Sequence, residues 1–387
     1  MQLFSDTSFF IVAGVLSIPA IIMGLRQIRI SGYGFAVTLV FLWLAMGHNI
    51  RALLWLAGFS FGEYAVIRIY LMLHQKYGRN KHIYHLFLAL SILPVAANKV
   101  LTAVGNPYHM FAFLGISYMS FKVIQIVIEI YDNVIHEVRP FEYLYLLWFF
   151  PTVMSGPIDR SRRFSADLEH VPSRSEYIEM LGSGLSRILQ GLVYKKVIGT
   201  GFYQLMMWFG MKSGFTSAMI YMYCYGFYLF FDFAGYSSMA IGVSKIFGIN
   251  TPENFNKPFI SKDIKEFWDR WHITLSHWFR DFIFSRVTMG LIRKRFTRNK
   301  LVIATIAFII NMGIMGCWHG LTIYYILYGL YHGILLSLTE IYQKKSKFYK
   351  KHKKDRWFCL LEWFITFHLV MFGFFLFSGR FTQLVLG

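Results

Sequence analysis

Charge is what this chain has least of. Only 15% of its 387 residues are Asp, Glu, Lys or Arg, where a soluble chain carries roughly a quarter. Acid is scarcer still, 20 Asp and Glu against 39 Lys and Arg. That shortage excludes an ordinary soluble domain. There are three cysteines, Cys224, Cys317 and Cys359, scattered through apolar segments without CxxC spacing. That excludes a disulfide framework or a zinc signature and leaves packing as their role. No internal repeat occurs, and no low-complexity segment beyond one Lys-rich stretch, so a solenoid is excluded. Met1 to Thr7 carries no basic region. The apolar run that follows, stopped by Arg26 and Arg29, therefore reads as a first spanning helix and not as a cleaved leader.

What the chain has instead is 56% hydrophobic and 19% aromatic residues and a mean hydropathy of +0.46. This composition predicts an all-α polytopic membrane protein, a single bundle over 1–387. At roughly 20 apolar residues per crossing, spans are expected at Phe9–Leu25, Tyr33–Met46, Leu53–Leu73, Ile83–Val104, Tyr108–Ile130, Val193–Met211, Ala218–Val243, Leu301–Trp318, Thr322–Tyr342 and Phe358–Phe377. About 10 or 11 transmembrane helices result. The basic residues sit between the apolar runs: Arg26 and Arg29; Lys76, Arg79 and Lys81; Arg160, Arg162 and Arg163; Arg293 to Lys300; and Lys344 to Arg356. That is the positive-inside pattern. It argues against nucleic acid as a partner, and it places both termini outside. Anionic lipid or an acidic protein would meet the basic side.

Two stretches do not read as simple spans. Phe141–Pro157 is apolar but runs into Ser155-Gly-Pro157 and then a basic cluster, which predicts a re-entrant segment beside an internal cavity and makes Ser155 a candidate lining residue. A proline-kinked surface helix is the alternative. Asn250–Gly290 is too polar to span, yet Phe267, Trp268, Trp271, Leu275, Trp278, Phe279, Phe282 and Ile283 recur at helical spacing. An amphipathic helix is expected there, with His272 and Ser276 on one face.

His272 and His319 are both in Trp-His contexts at expected membrane depth. An ionisable group there lines a polar cavity, does chemistry or is held by hydrogen bonds in the packing. Imidazole can take the proton of a hydroxyl poised against an acyl carbonyl, while a second imidazole or a tryptophan N–H holds the oxyanion. His319 and His272 are thus the candidate catalytic pair, with Trp318 and Trp271 beside them. No third ligand lies at a useful offset, so no metal is expected; His82 and His85 read as solvated. Cys317 and His319 are two apart and point in different directions on a helix, which disfavours a thiol intermediate. A proton-coupled transporter or flippase, or a structural scaffold, also fits the spans.

Three blocks carry a resemblance: Asn254-Phe-Asn-Lys-Pro-Phe259 leading into Phe267 to Asp281, Trp318-His-Gly320 with Tyr328-Gly-Leu-Tyr-His-Gly333, and Asp232-Phe-Ala-Gly-Tyr236. In this order they resemble the membrane-bound O-acyltransferases, over most of residues 110–335. The resemblance implies a ring of helices around a central funnel or tunnel, His319 as catalytic and His272 as the second active-site histidine. It also makes Asp232 and Ser276 candidate tunnel residues. Gly115 to Asp132 and Ser155 to Phe164 are similar to the branch that D-alanylates teichoic acids in the Gram-positive plasma membrane. An alginate- or peptidoglycan-type O-acetyltransferase is the alternative. That branch implies no cofactor bound by the chain itself. Its donor is the phosphopantetheine thioester of an acidic cytoplasmic D-alanyl carrier protein, its acceptor lipoteichoic acid, and its partners include other proteins of the D-alanylation pathway. Arg286, Met289, Arg293 and Lys294 are the residues expected to dock that carrier.

Overall fold

The computed structural model describes residues 1–105 and 113–386, and among them every named element is a helix. The chain divides into two compact units, residues 1–192 with 235–252, and residues 193–234 with 253–387.

The first unit holds α1 (Thr7–Leu25), α2 (Ser31–Met46), α3 (Ile50–Tyr77), α4 (Lys81–Ala103), α5 (Ile116–Tyr131), α6 (Pro140–Trp148), α7 (Ser161–Glu169) and α8 (Arg174–Leu192). Helices α1, α3 and α4 are long and apolar enough to cross a membrane, whereas α2 is apolar but shorter. The start of the span expected at Tyr108–Ile130 lies outside the described residues; its remainder is α5, buried almost all round. Lys122 in that helix is satisfied internally, its Nζ donating to the Leu146 carbonyl at 2.7 Å. At about 1.5 Å per residue, α6 is too short to cross. The irregular chain after it is buried at Phe149, Phe150, Val153, Ile158 and Asp159. Non-helical backbone at such depth requires an internal partner. Ser155 has one: its N–H donates to Tyr236 Oη at 3.2 Å, and that hydroxyl donates to the Pro151 carbonyl at 3.1 Å. The amphipathic α8 was not anticipated from the sequence.

The second unit opens with a π-helical turn, Val193–Gly199, followed by α9 (Thr200–Gly210) and α10 (Phe215–Ile246), whose last turns belong to the first unit. Then come α11 (Ile264–Arg270), α12 (Ile273–Phe279), a second π-helical turn (Arg280–Phe284), α13 (Ser285–Arg293), α14 (Lys300–His319), α15 (Ile323–Lys345), α16 (Lys347–His352), α17 (Arg356–Phe377) and α18 (Arg380–Leu386). Helices α14 and α17 are long and apolar enough to cross. The expectation of one amphipathic helix across Phe267–Ile283 is corrected here. The chain breaks at His272, so His272 and Ser276 do not share a face of one continuous helix.

Helices α14 and α15 form a hairpin whose seam is made of glycine. A methyl group on Gly329 would stand 2.4 Å from the Met312 carbonyl oxygen, and one on Gly316 would stand 2.5 Å from that of Tyr325. Both obstacles are backbone, so the helices would have to part. Small residues allow this close approach where apolar surroundings give helices little hydrophobic reason to associate. Gly329→Ala is expected to cost about 1–3 kcal/mol by overpacking, seen as a lower unfolding temperature in detergent. Gly313→Ala, on the facing helix α14 with open space around it, should leave that temperature unchanged.

Candidate functional site

The second unit carries both histidines. His272 is buried, at 4% exposure, and takes φ +44°, ψ +51° as the residue before α12. A non-glycine residue in this left-handed region persists only where its surroundings impose it. Here they do. Asn256 N–H donates to the Arg270 carbonyl at 3.0 Å and Ile273 N–H to the Asn254 carbonyl at 2.9 Å, so two short extended pieces pair across the break. Asn254 Oδ1 accepts from Thr274 Oγ1 at 2.6 Å and from Thr274 N at 3.3 Å. Ser276 N–H closes the first turn of α12 on the His272 carbonyl at 2.9 Å.

The helix before the break is fixed just as firmly. Asp263 caps α11 by accepting from the N–H groups of Lys265 and Glu266, and its other oxygen accepts from Gln343 Nε2 of α15 at 3.0 Å. Lys265 pairs with Glu340 on the same helix. Trp271, the last residue before the break, packs against Phe374, Phe255 and Phe267 at ring distances of 4.7, 5.1 and 5.7 Å. It is therefore a wall of the site, and Phe233 of α10 closes another, 4.7 Å edge-on to the His272 ring.

His319 ends α14, where the hairpin turns. Its ring contacts Trp318 at 4.7 Å, Phe377 at 4.9 Å, Tyr325 at 5.9 Å and Tyr328 at 6.2 Å, and it is close enough to act electrostatically on His272. The fold thus places the two histidines of the candidate pair within electrostatic reach of each other, Trp318 packed on His319 and Trp271 preceding His272. Among the described residues no cluster of three metal-ligating side chains exists.

A cavity of about 400 Å³ opens beside α12 and α14, and its lining includes Ser276, Trp268, Asn311, Met312 and Met315. Lys265, Asp269, Arg280 and Glu340 line it as well, which gives it a charged end. Along α14 the lining runs from Ala304 to Met315, roughly 17 Å at the usual helical rise, and stops one turn short of His319. The four residues expected to dock a partner lie on or just after α13, a helix with no buried residue. Met289, Ile292 and Phe296 are 45%, 56% and 62% exposed there, beside Arg293 and Lys294.

Two of the expected lining residues are not among those that line this cavity. Asp232 pairs with Lys195 of the first π-helical turn, and Ser155 lies in the first unit, bonded to Tyr236. The sequence reading missed the Asn254–Thr274 clamp, His332, Asn311 and the Lys195 partner. The first sits in the quoted Asn254 to Phe259 block, but nothing in one sequence says which asparagine caps what.

A family model described as membrane-bound O-acyltransferase matches residues 45–379. The chain is 39% identical to the teichoic acid D-alanyltransferase of Bacillus subtilis (strain 168), over 98% of each chain. It is 37% identical to the protein of that name from Streptococcus thermophilus, over 98% of this chain and 95% of the relative. To the probable alginate O-acetylase AlgI of Pseudomonas syringae pv. tomato it is 30% identical, over 73% of this chain and 53% of the relative.

Asn254→Ala removes the acceptor of two Thr274 donors. Leaving buried donors unpaired costs roughly 1–3 kcal/mol, and the break at His272 should loosen with them. Diethyl pyrocarbonate labelling followed by mass analysis is expected to modify His272 faster in the variant. Equal labelling would mean that other contacts hold the histidine.

Proposed function

The chain belongs to the membrane-bound O-acyltransferase family, and from that premise we propose that it moves D-alanine from a cytoplasmic carrier protein across the membrane to teichoic acid hydroxyls. The observation that carries this reading is the cavity that follows α14 from a charged end to within one turn of His319. It suits a slender donor arm with a reactive end, and the phosphopantetheine thioester of a carrier is such an arm. The relatives matched over nearly the whole chain are named for teichoic acid D-alanylation, whereas the alginate relative aligns over only part of it. That favours D-alanine over acetate.

The residues then take these roles. His319 is the general base: it accepts the proton of the acceptor hydroxyl as the oxygen attacks the thioester carbonyl. His272, fixed at the break between α11 and α12, donates to the oxyanion that forms. Collapse of the intermediate breaks the carbon–sulfur bond, the thiolate takes the proton from His319, and an ester and a free thiol result. Trp318 and Trp271 exclude water from the reaction, and Ser276 lines the approach of the donor. Asp232 with Lys195 and Ser155 with Tyr236 brace the scaffold.

The carrier docks on α13. Exposed Met289 gives the central apolar contact, and Arg286, Arg293 and Lys294 steer an acidic surface towards it, as rim charges do. Positive-inside charge puts this helix at the cytoplasmic face, with ten crossings and both termini outside. Other proteins of the D-alanylation pathway, lipoteichoic acid and membrane lipids complete the surroundings.

Purified, inserted His319→Ala is expected to lose about a hundredfold to ten-thousandfold in transfer rate, and His272→Gln about 3–4 kcal/mol of transition-state stabilisation. Mass analysis of polymer esters made by cells with the wild-type chain should find D-alanine. Acetate would move the protein to the acetyltransferase branch, and ester levels unaffected by the loss of His319 would favour a transporter.

Carrier docking has its own measurement, the binding of loaded carrier to inserted protein across a salt series. Arg293→Glu with Lys294→Glu should weaken binding most at low ionic strength, and Met289→Asp at any salt. Unchanged affinity in both would place the docking site elsewhere.

A further inference from the structure

Among the buried polar atoms of the second unit, two of opposite character line the same cavity. Trp268 is 6% exposed and Asn311 7%. Both line the cavity beside α14. The Trp268 Nε1–H donor and the Asn311 Oδ1 acceptor have no hydrogen-bond partner in the protein. The Asn311 amide nitrogen reaches only the Met312 sulfur, at 3.7 Å, a weak acceptor. Buried side-chain polar atoms are satisfied in the large majority of cases, and leaving one bare costs roughly 1–3 kcal/mol. Two bare atoms, one donor and one acceptor, in a cavity whose lining also holds Phe308, Met312, Met315 and Leu336, are poorly explained by packing, since leucine and phenylalanine would fill the space at lower cost.

We propose that Trp268 and Asn311 form an amide-reading pair in the donor channel. Trp268 Nε1–H donates to the carbonyl, and Asn311 Oδ1 accepts the N–H, of an amide in the pantetheine arm. This rests on the donor reading above and adds the feature of the donor that the channel recognises. A secondary amide is the group that presents one acceptor and one donor on opposite edges. A simple alkyl thioester presents neither, and a fatty acyl chain of matching width would leave both protein atoms bare. A site built to hydrogen-bond a substrate discriminates strongly against an analogue lacking the bond, because its own polar groups are then left unpaired.

The position of the pair agrees with this use. Asn311 lies on α14 two turns before His319, about 12 Å along the axis, so an amide held there belongs to the middle of an arm whose end reaches the histidine. Trp268 is held in place by His332, whose ring stands 5.2 Å away edge-on and 4.7 Å from that of Tyr328. Tyr328 in turn contacts His319. The tryptophan is thereby fixed by the same aromatic stack that borders the reacting end. These residues set donor specificity and touch none of the reacting atoms.

The test uses the full chain in lipid nanodiscs and three synthetic donors: D-alanyl-S-pantetheine with two amides, D-alanyl-S-N-acetylcysteamine with one, and D-alanyl-S-butane with none. Loaded carrier is run in parallel. Wild type should prefer the amide-bearing donors by about tenfold or more. Trp268→Phe, which keeps the ring, and Asn311→Leu, which keeps the volume, should each shrink that preference roughly fivefold, through KM more than kcat. Asn311→Leu should also melt at or above the wild-type temperature, since it removes a bare buried polar group; this separates loss of specificity from loss of fold. If both variants keep the wild-type preference, the amide-reading pair is wrong while the donor reading stands. If wild type turns over neither the thioesters nor the loaded carrier, the donor reading falls and takes the pair with it.

Discussion

Backbone polar groups in an apolar environment must find partners within the chain, and the second unit is organised by that requirement at one place. The chain breaks its helix at His272, which leaves the turns on both sides short of partners. The Asn254 to Asn256 segment supplies them, pairing with Arg270 and Ile273 and capping Thr274. Without that segment, Trp271 and His272 would continue α11 and point along a helix instead of across a break. The left-handed histidine is thus a consequence of where Asn254 sits, and Asn254 sits there because Phe255 and Phe259 are packed into the aromatic cluster around Trp271. Long-range packing decides the local conformation, and the local conformation aims the imidazole.

The second constraint is closeness. His319 meets its ring neighbours because α15 runs back against α14 along a seam with no side chain in it, at Gly316, Gly329 and Gly333. Replacing the hydrophobic drive by intimate van der Waals contact is how helices associate in lipid, and here it also sets the reach of Tyr325 and Tyr328 towards His319. Gly373 of α17 continues the pattern: a methyl group there would fall 2.5 Å from His332 Nε2. Small residues on three helices are thus what let the aromatic residues stack.

The parts of this architecture legible in the sequence are those governed by composition. The apolar runs Phe9–Leu25, Leu53–Leu73, Ile83–Val104, Leu301–Trp318 and Phe358–Phe377 all became helices long enough to cross, because an apolar run of that length has few alternatives to a helix. The two Trp-His dipeptides, at 271–272 and 318–319, were equally visible. What periodicity could not reveal was the break at His272. The spacing of Phe267, Trp268, Trp271, Leu275 and Trp278 satisfies one continuous helix as well as two short ones, and the difference lies in a pairing with residues some 15 positions earlier. The π-helical turn before α9 was hidden for a similar reason, since Lys195 finds Asp232 across a separation of 37 residues. Asn311 was hidden by its neighbours. In the run Phe308-Ile-Ile-Asn-Met-Gly313, one asparagine reads as an ordinary interruption until its burial and its cavity are known.

The polar residues of the second unit divide by chemistry in a way that bears on the proposed transfer across a membrane. The charged lining of the cavity, Lys265, Asp269, Arg280 and Glu340, is tied into ion pairs that do not depend on a ligand, such as Lys265 with Glu340 and Arg280 with Asp269. Such pairs stabilise little by themselves when partly exposed, but they leave no strong uncompensated charge at the mouth to capture a free ion. The same cavity carries neutral polar groups, Ser276, Trp268 and Asn311, and His319 stands one turn beyond its lining on α14, in an aromatic enclosure. On the proposed reading, a donor arm moving inward exchanges its water for directional neutral hydrogen bonds before it meets the histidines. In that reading the low-dielectric surroundings of the histidines strengthen whatever bonds form in the transition state, so paired charges in the cavity and enclosed imidazoles beyond it let binding proceed without a deep electrostatic trap and reserve the strongest interactions for the reacting atoms.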